Sequence, residues 1–362
     1  MAYRYIVADL LTNTTLAELP FTNVNFTQQL NSAGTFTGSL LPSGISTIIP
    51  NLDAATTPAR TALYVDKDGV IIWGGIIWLR RYTSNNQQLE ITAREFISYF
   101  ERRRITNTIT FAGTDQLRAA ATLITNAQGA TNGNIGVIVP DLQSNVTINR
   151  TIYAYEYKPV FTAIQELSQA ANGFEFSIEV NYDGGGTPTK TLQLGYPRLG
   201  TILDPNNPAA LAFNFPSGNI SQYEYPEDGS NAVNQLWAIG AGSNEGQTSR
   251  SAIDTDKLTY GWPLLQDAIN YTDVADQSLL SNLAAGHIAA RAYPPVTLKI
   301  VVPGSVTPAI GTYNIGDDAR ITITDDRFPQ TLDAIYRIVA LNITPGELGP
   351  EQATITLTLP NS

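Results

Sequence analysis

The chain has 362 residues, room for about two or three domains of ~100–200 residues, and at 43% hydrophobic it can bury real cores and is no disordered segment. Its net charge of −11 argues against a sequence-reading nucleic-acid binder, which needs a basic footprint to neutralise phosphates. With no cysteine, disulfides, cysteine-held metals and thiol nucleophiles are excluded. Charged residues make up only 15%, against roughly 25% in an average soluble domain. Thr, Asn, Ser and Gln fill the polar positions instead, a composition suited to β surfaces and large interfaces where charges are costly to desolvate.

Residues 1–95 read as β. Strands are expected at 3–10, 16–20, 24–30 (alternating apolar and polar), 36–40 and 88–93. The sharpest signal is the hairpin 63–77: two apolar runs meet at Asp68-Gly69, which supplies the positive φ angles of a two-residue turn. At the N-terminus no charged region precedes a long apolar stretch, so no signal peptide is expected. No run approaches ~18 apolar residues, so neither a transmembrane helix nor stable membrane insertion is expected.

Residues 94–171 change period. A short helix is expected at 94–100, running into Arg102-Arg103-Arg104. A second is expected at 114–124 with Thr114 as its N-cap. The clearest helix spans 158–173: Pro159 suits a first turn, Val160, Ile164 and Leu167 form a stripe, and Asn172-Gly173 makes a C-cap. Between them, 128–152 reads as a loop or small β excursion. A hairpin follows, 174–180 and 191–195 around Tyr182-Asp183-Gly184-Gly185-Gly186. From 215 the pattern returns to β, with strands at 219–225, 232–240, 296–302, 320–323, 335–343 and 353–359. A polar tip is expected at 243–250 and a helix at 277–291, stopped by Pro294-Pro295.

The expected fold is therefore α+β and β-rich. Two small β-barrel domains, 1–95 and 215–362 (the second with an inserted helix), flank a helical, helix-plus-hairpin middle region at 96–214.

Three stretches carry a family resemblance. They are Gln29-Leu30-Asn31-Ser32-Ala33-Gly34-Thr35-Phe36-Thr37-Gly38-Ser39-Leu40-Leu41-Pro42, then Val65-Asp66-Lys67-Asp68-Gly69-Val70-Ile71-Ile72-Trp73-Gly74-Gly75-Ile76-Ile77, then Leu89-Glu90-Ile91-Thr92-Ala93-Arg94-Glu95-Phe96-Ile97-Ser98-Tyr99-Phe100. With the late Ile315-Gly316-Asp317-Asp318 turn and the order of elements, the chain resembles phage tail hub proteins, and more narrowly the minor tail proteins of siphophages of Gram-positive hosts. The resemblance implies a virion protein of the tail tip or baseplate, made in the host cytoplasm. It implies a homotrimer whose two barrels per subunit alternate in a ring. That ring would meet the tail tube or distal tail protein, with the tape measure protein and tip or fibre proteins as further partners. DNA would be only passing cargo, which an acidic or neutral wall suits. The chain stops at Asn361-Ser362, where many relatives continue into a lytic or fibre domain, so no lysin activity is expected.

No catalytic constellation accompanies this reading. His287 is the only histidine. Without partners in the sequence it reads as a packed or exposed helix residue, not a zinc ligand or triad member. Asp317-Asp318 and Asp325-Asp326 read as turn acids before calcium ligands or a glycosidase pair. Asp66, Asp68 and Gly69 read as a hairpin, not half a calcium loop. Arg102-Arg103-Arg104 reads as a solvated helix end or a contact for an acidic neighbour or DNA. Tyr223, Tyr225, Trp237, Tyr260 and Trp262 suit strand cores, a protein interface or sugar stacking. No enzyme activity, cofactor or metal is expected. The interface candidates are Arg102, Arg103, Arg104, Phe36, Trp73, Tyr223, Trp262 and Asp317. The segments 24–40 and 315–324 are expected as edge strands making the ring contacts. A carbohydrate-binding adhesin is the alternative, with a cell-wall lysin third.

Overall fold

The computed structural model describes residues 3–45, 49, 51–204, 211–291, 297–346 and 349–360. The expected stop at Pro294-Pro295, and the start at 296 of the strand after it, lie outside the described residues. The Asp68-Gly69 hairpin forms as its chemistry demands: both residues have positive φ, 52° and 90°, between strands Thr61–Lys67 and Val70–Thr83.

The two β modules are not separate closed barrels. Among the described residues most of their strands join in one open, 13-stranded sheet. In spatial order it runs Gln222–Glu224, Leu298–Pro303, Gln352–Thr358, Leu332–Thr344, Thr22–Gln29, Thr35–Leu40, Gln88–Glu95, Val70–Thr83, Thr61–Lys67, Tyr3–Asp9 and Thr15–Glu18. Asp318–Ile323 lies beside Leu332–Thr344 and takes Ala212–Phe215 in parallel on its other side. The joint between the chain's two ends is the antiparallel pairing of Leu332–Thr344 with Thr22–Gln29, in register Ala340↔Gln29 through Ile343↔Phe26. One core lies beneath both modules, with Phe26, Phe36 and Trp73 packed in a cluster with Leu298, Ile321, Tyr336 and Leu341.

That topology corrects the expected edges. Thr22–Gln29, Thr35–Leu40 and Asp318–Ile323 each have a strand on both sides, so their backbone groups are used within this chain. The outermost strands of the main path are Gln222–Glu224 and Thr15–Glu18.

The middle of the chain builds a second core. Ile6, Ala8, Tyr64 and Ile76 pack with Phe96, Phe100, two helices and the hairpin Glu175–Tyr182/Pro188–Gly195. The first helix is Gln116–Gln128, two residues later than expected. Thr114 belongs instead to strand Ile109–Asp115, opposite Ile148, and the Asp115 carboxylate caps the helix by accepting from the Leu117 and Arg118 N–H groups. The second helix is Val160–Ser168, ending before Asn172, which takes φ 59°. The 94–100 segment is the end of strand Gln88–Glu95 followed by a 3₁₀ turn, Phe96–Glu101.

A third, smaller core sits under helix Gln277–Arg291. Leu280, Leu283 and Ile288 pack on Leu236 and Ala238 of the sheet Ser249–Ile253, Gln235–Ile239, Gln266–Asn270.

Candidate interaction surface

Interior charge fixes how these units meet, and so which residues remain for the outside. Arg337 forks onto both carboxylate oxygens of Glu175 while its Nε donates to the Gly316 carbonyl at 3.1 Å. Arg198 forks onto Asp318 at 2.8 and 2.5 Å. These bidentate pairs tie the hairpin and the segment after it to the C-terminal strands. Asp317, an expected interface residue, holds the same turn: its carboxylate accepts from the Thr201 and Asn314 N–H groups at 2.7 and 2.8 Å.

A second cluster ties the 233–291 unit to the middle region. Asp273 accepts from Arg150 Nη2 and from Lys158 Nζ, both at 2.7 Å, and the side chains of Arg150 and Asp273 are 1% and 0% exposed. Glu166 accepts from the same two cations. Burial pushes the Asp273 carboxyl up, but the guanidinium and ammonium overcome it and hold it below the ordinary range. Nearby, the Ala171 N–H donates to the Asn282 carbonyl at 2.8 Å. Gly286 packs so closely on the Gln169 carbonyl that a Cβ there would collide with it. Nothing in the sequence marked this cluster, because Arg150 and Asp273 are 123 residues apart and each alone reads as an ordinary polar residue.

Glu95 is a further, half-buried acid. Its carboxylate accepts from the Gly34 N–H at 2.6 Å, and burial pushes it up to about 8 despite backbone donors at Gly34 and Gln29. Lys190 is buried, donates to the Ile135 carbonyl at 2.6 Å and lies 4.9 Å over the Phe96 ring; burial brings it down to about 8. His287 pairs with the Tyr271 hydroxyl at 2.7 Å, and burial lowers it. Among the described residues no group of three or more His, Cys, Asp or Glu could hold a metal ion, and no helix is long and apolar enough to cross a membrane.

Two of the expected interface residues are interior. Phe36 and Trp73 are fully buried with ring centroids 5.6 Å apart, and the Trp73 indole donates to the Thr27 carbonyl at 2.9 Å. Their side chains hold the joint core and present nothing to a partner. Tyr223 is half-buried on the outermost strand, packs on Phe215 and Phe328, and donates its hydroxyl to Asp325. Trp262 is 38% exposed, with the Lys257 ammonium 3.8 Å over its ring, and Tyr260 beside it is 80% exposed.

The arginine run stays at the surface. Arg102 caps the 3₁₀ turn at its carbonyl end, where a cation is favoured. Arg103 lies over the Tyr99 ring at 5.6 Å, and Arg104 donates to the Glu101 carbonyl at 2.9 Å. Arg103 and Arg104 rim a groove of about 610 Å³, with Ile105, Ile109, Leu123 and Val160 among the residues of its lining.

No family model matches the sequence, and no curated protein matches it. Solved structures do match. A tail protein from Neisseria meningitidis aligns over 99% of this chain and 97% of its own at TM-score 0.62 and 14% identity. The 43 kDa tail protein of prophage MuSo2 from Shewanella oneidensis aligns over 99% and 98% at TM-score 0.60 and 11% identity. Prophage tail protein gp18 from Listeria monocytogenes aligns over 99% and 95% at TM-score 0.52 and 13% identity. The chain has the fold of phage tail proteins along its whole length, in agreement with the hub-like resemblance of its sequence.

Proposed function

We propose that this chain is a structural hub protein of a phage tail, acting by assembly and not by catalysis. The observation that carries this reading is the end-to-end fold match to the Neisseria and Shewanella tail proteins, with each chain covered almost completely. In this reading three copies close a ring at the tail tip by heterologous contacts. With two β modules in each copy, the three copies together supply six similar faces to a sixfold tail tube or distal tail protein. The tape measure protein and the tip or fibre proteins contact the same ring. The units 1–95 and 215–362 are the ring-forming parts, and 96–214 projects from them. DNA passes through the ring without being gripped, which the net charge of −11 supports. Light scattering of the purified protein across a concentration series tests the ring. Three chains per particle supports it, and a monomer that is also missing from purified virions defeats it.

A second reading, a glycan-binding adhesin, is favoured by the exposed Tyr260 and by Trp262 with its stacked lysine. Glycan-array binding abolished by Trp262→Ala supports it, and an array without signal removes it.

A further inference from the structure

The protein carries more acid than base, 32 Asp and Glu against 21 Lys and Arg. Its arginines are mostly spoken for: Arg4, Arg80, Arg94, Arg118, Arg150, Arg198, Arg320 and Arg337, for example, each reach a carboxylate. Arg102, Arg103 and Arg104 make no ion pair among the described residues. Three adjacent guanidinium groups therefore keep their charge undivided, and two of them stand over a groove with apolar floor residues. Nucleic acid would use the charge and leave the apolar floor unmatched, whereas a polypeptide that brings both carboxylates and apolar side chains uses both.

A surface of that kind exists on the same chain. The outermost strand Gln222–Glu224 and the turn after it expose Glu224, Glu227 and Asp228. Half-exposed aromatic rings accompany them: Tyr223 and Tyr225, both packed on Phe328, with centroids 6.3 and 5.1 Å apart. Asp325 joins this corner through the Tyr223 hydroxyl. Glu227 and Asp228 make no ion pair among the described residues. Among the described residues the strand pairs with Leu298–Pro303 only, at the end of the sheet path.

We infer that the arginine-rimmed groove is a self-docking surface, in which one copy of this chain receives the acidic, aromatic corner Tyr223–Asp228 of the next copy. This rests on the hub-ring reading and deepens it: beside the contacts of the ring-forming units, the projecting middle region, which carries the groove, adds its own contact to the next copy. Copies carrying −11 each repel as whole bodies, so a ring of them needs two locally opposite patches. A heterologous contact, with a different patch on each side, is the kind that repeats around a closed ring.

The test is the association constant of the full chain, measured by sedimentation velocity at low and moderate salt, with circular dichroism to confirm folding. Arg102→Glu with Arg104→Glu changes two exposed side chains and leaves Arg103 on its tyrosine. Association is expected to weaken by roughly 10- to 100-fold, and to weaken similarly for Glu227→Lys with Asp228→Lys. Combining all four restores it, because the opposite signs are exchanged. Association that is unchanged in the arginine variant, or not restored by the combination, overturns the inference while leaving the ring intact. Binding of a fluorescent DNA duplex by the wild type, lost in the arginine variant, overturns it by reassigning the groove to phosphate. A wild type that is monomeric under every condition removes the self-assembling hub and the inference together.

Discussion

Where Thr22–Gln29 meets Leu332–Thr344, the contact is a backbone ladder over a core of Phe26, Phe36, Trp73 and Tyr336. Where the 233–291 unit meets the middle region, the contact is a knot of buried charge around Asp273, one backbone hydrogen bond and a glycine pressed on a carbonyl. The first joint combines ladder hydrogen bonds with apolar burial in a core that both ends of the chain share. The second depends on a few charges whose separation costs more than their union gains. The molecule is thus fused along its sheet and clasped at its side unit.

Four changes break or sharpen that contrast. Trp73→Ala removes the largest buried side chain at the fused joint and leaves the Thr27 carbonyl without its indole donor. A loss of about 3–5 kcal/mol in denaturant unfolding is expected, with the N- and C-terminal strands lost together. Asp273→Ala leaves Arg150 and Lys158 with Glu166 as their remaining close carboxylate partner. A cost of about 3 kcal/mol is expected, seen as faster amide exchange over 233–291 while the 22–29 ladder stays protected. Because the Asp273 carboxyl is held below its ordinary range, its contribution is present above pH ~4 and is lost as pH falls through the lower folded value. The acid limb of the wild-type stability curve should therefore be shallower in the variant.

Glu95 has the opposite sign. Raised from 4.5 to about 8, its neutral form favours the fold at low pH, and that contribution is lost as pH rises through the folded value. Glu95→Gln keeps a carbonyl for the Gly34 N–H. It should gain about 2 kcal/mol over wild type at pH 9 and almost nothing at pH 4, read from thermal melts at the two pH values. Gly286→Ala forces the helix off Gln169 and should cost about 1–2 kcal/mol, confined to the clasped unit. Equal loosening of the main sheet would show that the two joints are not independent.

What the sequence displayed was local. The Asp68-Gly69 turn and the Gln277–Arg291 helix were legible because their signals, positive-φ residues and an apolar periodicity, lie within a few residues of each other. The helix at 116 was misplaced because Thr114 and Asp115 are both good caps, and pairing with Ile148 drew Thr114 into a strand. Two barrels were expected because each module has barrel-like patterning. Their union depends on Phe26 facing Ile343, a match between positions far apart that no short pattern encodes. For the same reason Phe36 and Trp73 looked available to a partner: alternation shows that a side chain faces a core, but not that the core belongs to the same chain. The arginine run stood out, whereas the groove beneath it required the helices to be in place.

The pairing of Thr22–Gln29 with Leu332–Thr344 also governs how the chain emerges from the ribosome. About 300 residues separate Gln29 from Leu332. At 5–20 residues per second, the early strand waits roughly 15–60 s for its neighbour to be synthesised. Through that interval the nascent chain carries an unsatisfied ladder beside exposed aromatic rings, a template for pairing with the wrong chain. Slow codons after residue 95 would lengthen the exposure, and a holdase on the nascent chain would be expected to act during this window.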